Sequence, residues 1–168
     1  SSNEPQEFST DFTVGFIGQV YTSDDFELYT PFNELVPQSE DWETLCEQEN
    51  LAQISQLYAQ SGDNSMFIYH GPSDVYKSLG NQTYGAYEFS FSMFVPEDGS
   101  AYYRLMHQMS CDSSEVIPSM EFYAESDGSA YLNTGSENSQ SFTVPVGEWF
   151  ELTHLVDIDN GIATLALN

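Results

Sequence analysis

A chain of 168 residues with 40% apolar side chains can bury the core of one domain. Its 27 acidic residues against two basic ones give a formal net charge of −25, which sets aside nucleic acid and anionic membrane as partners. Such a surface attracts divalent cations, or it is a solvated acidic coat suited to salty surroundings.

Twelve Phe and 11 Tyr argue for an ordered, β-rich protein despite the charge. No apolar run is long enough to span a bilayer, and no signal-type segment is present, so membrane insertion is not expected. A start at Ser1 fits a processed or trimmed chain. Cys46 and Cys111 suit one disulfide in an exported protein, or two buried thiols. Asn81-Gln82-Thr83 matches the short glycosylation pattern.

In chain order, Ser1 to Thr10 is polar and expected to be loose. Phe12 to Val20 (FTVGFIGQV) reads as a strand with glycines marking bends. Tyr21 to Tyr29 carries three acids around Phe26, and Pro31 to Asp41 is loop-like ahead of Trp42. Glu43 to Gln60 is ambiguous: Leu51, Ile54, Leu57 and Tyr58 have helical spacing, yet the interspersed Gln and Ser equally suit a short strand. Ser65 to His70 and Asp74 to Leu79 read as short strands.

The most informative stretch runs from Tyr84 to Ser110. Tyr87, Phe89, Phe91, Met93 and Val95 alternate with Glu88, Ser90, Ser92 and Phe94, the mark of a strand with one face in a core. Pro96-Glu97-Asp98-Gly99 is turn chemistry. The returning strand puts Ala101, Tyr103, Leu105, His107 and Met109 on the core face, and Tyr102, Arg104, Met106 and Gln108 on the other. Met120, Phe122 and Ala124 then alternate with Glu121, Tyr123 and Glu125. Ser126-Asp127-Gly128 turns into a strand near Ala130 to Asn133, and Phe142 to Val144 follows. Trp149 to Ile158 and Ile162 to Leu167 form a hairpin around Asp159-Asn160-Gly161. Many short strands at this spacing predict an all-β fold, an antiparallel sandwich.

Several pieces together resemble the concanavalin A-like (laminin-G-like) domains of secreted marine Bacteroidetes-type bacterial proteins. They are DDFELY, Trp42 after a loop, SGDNSMFIYH, TYGAYEFSFSMFVPEDGSAYYRL and VGEWFELTHLVDIDNGIATLALN. The DDFE run is also similar to the opening of MAM-type domains. The likeness spans residues 21–168 and rests on layout, not on a catalytic signature. It implies a two-sheet antiparallel jelly-roll, a secreted location, calcium binding and a non-catalytic binding or adhesion role, with a cell-surface or matrix component as partner. Such domains continue past the strand ending at Asn168, so a groove one strand wide is expected. Residues 1–20 are then an extension whose strand folds back into that groove or fills a neighbour's, giving self-association. A truncated chain is the third explanation.

The residues themselves offer two sites. Tyr102, Arg104, Gln108, Glu121 and Tyr123 share the outer face, where rings stack on sugars and polar groups orient hydroxyls; the same set also reads as a tyrosine-rich solvent face with Arg104 paired to Glu121 or Glu88. Asp24, Asp25 and Glu27 form one acidic cluster, and Asp157, Asp159 and Asn160 another. Neither has EF-hand spacing. It is the resemblance that makes Ca2+ at Asp25 and Glu27 an expectation. His107 and His154 read as core histidines. Glu121 and Glu125 have a spacing usable by a glycosidase, but the carboxylate pattern of laminarinase-type enzymes is absent. A polyanion lyase built on Arg104 and His107 conflicts with strand parity and with the net charge. The expected function is a secreted, non-enzymatic glycan-binding or adhesion domain. The alternatives are an extracellular filament or matrix subunit completed by strand exchange and, third, a polysaccharide-active enzyme.

Overall fold

The computed structural model describes residues 12–16, 19–47, 52–68, 75–111, 116–134 and 139–168. Ser1 to Thr10, Leu51, His70 and Asp74 lie outside them. Among the described residues the regular elements are strands and two short 3-10 turns, with no α-helix. The all-β, antiparallel class read from the sequence is observed. The chain divides into two compact units, residues 1–92 with 151–168, and residues 93–150.

The first unit contains a five-stranded sheet. Its strands are β1 (Phe12–Phe16), β2 (Gln19–Asp24), β7 (Ala86–Phe94), β12 (Trp149–Asp157) and β13 (Ile162–Leu167), in the order β13-β12-β7-β1-β2. The stretch read as one strand, Phe12 to Val20, is therefore two. Its bend shows in the register, which shifts between Val14 and Gly15. β1 pairs with β2 on one side and with β7 on the other, Thr13 lying opposite Ser90. Both of its edges are thus paired within its own chain. On β12 the alternation is clean: Leu152 and His154 are fully buried. The turn after it is tied by Asp157, whose carboxylate accepts from the Asn160 amide (3.0 Å) and side chain (2.7 Å).

Two small sheets complete this unit, β3 (Trp42–Thr44) with β6 (Val75–Lys77) and β4 (Ala52–Ser55) with β5 (Ser65–Ile68). In the ambiguous region, the described residues are strand, one 3-10 turn and loop. Leu57 and Tyr58, whose spacing looked helical, lie in the β4–β5 hairpin loop at 80% and 49% exposure. A core of Phe26, Leu35, Trp42, Ala52 and Ile54 is closed around by Tyr29, Val36, Met66 and Val75. Each large side chain buried there contributes roughly 1.5–3 kcal/mol. Phe26 adopts a left-handed backbone (φ 62°), which costs on the order of 1–3 kcal/mol for a bulky residue. Burial of its ring offsets that cost. Gly62 is required on two counts: its φ is 61°, and a Cβ there would stand 2.4 Å from Glu27 Oε1.

The second unit holds a four-stranded sheet in the order β11-β10-β9-β8, from β8 (Ala101–Gln108), β9 (Ile117–Ala124), β10 (Ser129–Asn133) and β11 (Ser139–Thr143). Met120, Phe122, Ala124, Ala130 and Leu132 are buried on one face. Tyr103 stacks on Phe122 at 5.0 Å, and Phe142 meets the same ring at 5.9 Å. The turns are those the sequence marks: the Gly99 amide donates to Pro96 O (3.1 Å) and the Gly128 amide to Glu125 O (3.0 Å). His107 differs from expectation and is exposed. Two register shifts, between Leu105 and Met106 and between Met106 and Gln108, interrupt the alternation just before it. Pro118, which has no amide hydrogen to give a ladder, sits at this irregularity opposite Met106.

Candidate functional site

The solvent face of the four-stranded sheet is built by register. β8 and β9 place Tyr102 opposite Tyr123 and Arg104 opposite Glu121. β10 adds Tyr131 opposite Tyr123 and Asn133 opposite Glu121, and β11 sets Ser141 opposite Tyr131 and Ser139 opposite Asn133. The result is two adjacent rows crossing the strands, one of three tyrosines and one of guanidinium, carboxylate and amide.

The rings are close. Tyr102 and Tyr123 have centroids 4.3 Å apart, tilted by 37°, and Tyr123 and Tyr131 stack at 4.6 Å and 17°. Glu121 ties the two rows together. Tyr102 Oη donates to its Oε1 (3.0 Å), and Asn133 Nδ2 donates to its Oε2 (3.2 Å). The Arg104 guanidinium lies over the Tyr102 ring, 5.6 Å from its centroid. Burial raises the Tyr102 phenol well above its ordinary pKa, the hydrogen bonds with Tyr123 and Glu121 raise it further, and Arg104 opposes them. Tyr131 is also raised, by burial and then by the charges of Tyr123, Glu125 and Glu121. These phenols stay protonated at neutral pH. They offer hydrogen bonds and ring surface.

Four of the five residues named for this face, Tyr102, Arg104, Glu121 and Tyr123, are brought together. Gln108 is not: it lies opposite Ile117, beyond both register shifts. Tyr131 and Asn133 are members the sequence reading did not include. Their signal was the alternation of SAYLN, with Ala130 and Leu132 inward and Tyr131 and Asn133 outward.

The acidic clusters are already in use. Asp24 accepts from the Phe26 amide (3.0 Å), Tyr29 Oη (2.7 Å) and Trp42 Nε1 (2.8 Å). Lys77 Nζ stands 4.0 Å from Asp24 and 3.0 Å from Asp41, its side chain 4% exposed and that of Asp24 9%. It also covers the Trp42 ring at 5.5 Å. Burial, foremost, pushes the Tyr29 phenol up to about 12. Asp25 caps the Glu27 amide (3.1 Å), and Glu27 Oε1 accepts from the Asp63 and Asn64 amides (3.1 and 2.9 Å). Asp157 is held by Asn160 as described, and that bonding lowers its pKa. Among the described residues no three His, Cys, Asp or Glu side chains are grouped so as to hold a metal ion. Of the residues singled out for calcium, Asp24, Asp25, Glu27, Asp157 and Asp159, the carboxylates of the first four accept hydrogen bonds from neighbouring donors.

Cys46 and Cys111 are disulfide-bonded, and no described cysteine is free. No described helix is long and apolar enough to cross a membrane. Comparison with known proteins returns no matching family profile, curated protein or solved structure.

Proposed function

We propose that this chain is a non-catalytic carbohydrate-binding domain of an extracellular protein, built as a jelly-roll sandwich of the concanavalin A-like type. The observation that carries the reading is the outer face of the four-stranded sheet. Three tyrosines run beside a row of Arg104, Glu121 and Asn133, so ring surface and both donors and acceptors lie together in the open. Sugars need that combination, an apolar surface for the C–H face of the ring and directed polar groups for its hydroxyls. The disulfide supports an oxidising, extracellular setting. Protonated phenols and a Glu121 engaged by two donors favour binding over chemistry. No step through calcium is included, since the acidic turns already accept from backbone and side-chain donors of this chain. The filament reading needs a strand given to a neighbour, and β1 is paired on both edges within its own chain.

The test is affinity electrophoresis through gels carrying single polysaccharides, with release of reducing ends followed in parallel. Retardation by at least one glycan without hydrolysis is expected, together with its loss in Glu121→Ala. Migration unchanged by any neutral or acidic polysaccharide would overturn the reading, and reducing ends lost on Glu121→Ala would replace it with an enzyme.

A further inference from the structure

This inference rests on the carbohydrate-binding reading and locates the sugar within it. A pyranose stacks on an aromatic residue only if a ring face is open. At centroid separations of 4.3 and 4.6 Å, rings inclined by 37° and 17° must overlap face on face, because side-by-side rings cannot approach so closely. Tyr123, in the middle, therefore has both faces occupied. Tyr102 has one face on Tyr123, and the Arg104 guanidinium lies over its ring. Tyr131 has one face on Tyr123 and the other turned toward β11. There the residue opposite it is Ser141, too small to cover a ring. Tyr131 and Tyr102 are each 38% exposed, so the small Ser141, not exposure, separates the two ends.

The two ends of the stack also differ in charge. The Tyr102 end has a cation. Glu121 lies between the ends, accepting from Tyr102 Oη, and its charge and that of Glu125 reach Tyr131, which has Ser139 and Asn133 as uncharged neighbours. A uronate or sulfate placed against Tyr131 would meet two negative charges on a protein already at −25.

We infer that the sugar-stacking position is the β11-side face of Tyr131, above Ser141, and that the ligand is a neutral glycan. Its ring stands on the hydroxyl-bearing edge strand with its C–H face against Tyr131, and its hydroxyls reach Asn133 and the serines. Tyr102 and Arg104, at the far end of the row, support the stack without touching the sugar.

Titration calorimetry on the intact chain separates the ends. The neutral probes are a β-glucan, a galactan and a mannan; the acidic ones are alginate and heparin. Wild type should bind a neutral probe and neither acidic one. Tyr131→Ala should weaken that binding by about tenfold. Ser141→Phe, which fills the position while removing nothing from the stack, should do the same with the melting temperature unchanged. Tyr102→Ala should cost less than about threefold. An acidic preference, or loss at Tyr102 and Arg104 with Ser141→Phe unaffected, would move the ligand to the cationic end: this inference would fall and carbohydrate binding would stand. Wild type that binds none of the five probes would overturn both.

Discussion

His154 sits on β12 opposite Leu165, fully buried, and burial lowers its pKa from 6.5 to about 4. The fold therefore holds the neutral imidazole, whereas the unfolded chain takes up a proton on acidification. Where a folded pKa is depressed below the unfolded one in a basic group, stability is complete above the unfolded value and is lost as the pH falls toward the folded value. Between about pH 7 and about pH 4.5 the loss integrates to about 2.4 kcal/mol, using 1.36 kcal/mol per unit. Total stability will not show this directly, because protonating a few of 27 carboxylates relieves self-repulsion over the same range. Comparison with His154→Gln isolates it, since glutamine carries no proton across the interval. Urea unfolding of both proteins near each pH is the assay. With a slope of about 2 kcal/mol per molar urea, the wild-type midpoint should fall by about 1 M more than the variant's. Parallel pH profiles would refute the argument and mean that the imidazole is hydrated or charged in the folded chain.

Two other outcomes are expected. Asp24→Ala leaves Trp42 Nε1 and Tyr29 Oη without their carboxylate and Lys77 with only the exposed Asp41. The cost is about 3–5 kcal/mol, a fall in melting temperature of roughly 10 °C or more; a fall under about 2 °C would show that the network is ornamental. Sodium chloride should raise the melting temperature by screening self-repulsion. Calcium chloride at matched ionic strength should do no more, and a calcium-specific rise at micromolar concentration would overturn the view that the acidic turns serve donors of their own chain.

Features coded by neighbouring residues were legible in the sequence. Alternation in β7, β9 and β12 identified their buried faces, and Pro96–Gly99, Ser126–Gly128 and Asp159–Gly161 announced their turns through residues suited to tight backbone. Features depending on distant partners were not. Helical spacing at Ile54, Leu57 and Tyr58 proved accidental, because the main chain of Ile54 bonds to Phe32 and Asn33 instead of to its own helix. The clustered acids of DDFE read as cation ligands; their local bonds to the Phe26 and Glu27 amides are joined by distant ones from Trp42, Asp63, Asn64 and Lys77 that no neighbouring residue announces. On the tyrosine face, two strands were readable as a pair. The third ring belongs to β10, where the alternation of SAYLN and the Ser126–Gly128 turn set Tyr131 beside Tyr123, a signal the reading of the face did not use. The irregularity in β8 leaves His107 as the extra residue, exposed instead of inward. Gln108 keeps the register of Arg104 because the two shifts cancel, and it misses the site only by lying four residues further along the strand.

The position of β1 sets the tempo of folding. Its hairpin with β2 closes within a few residues, but its other partner, β7, comes roughly 75 residues later in the chain. Until β7 is made and found, the hairpin carries a bare row of amides and carbonyls in what becomes the interior of the sheet. Closing so wide a loop is slow, and in that interval β7 of another molecule is as good a partner as its own. At high concentration the chain's own contact must win a race, so the yield of refolding should depend on dilution although the finished sheet is complete within a single copy.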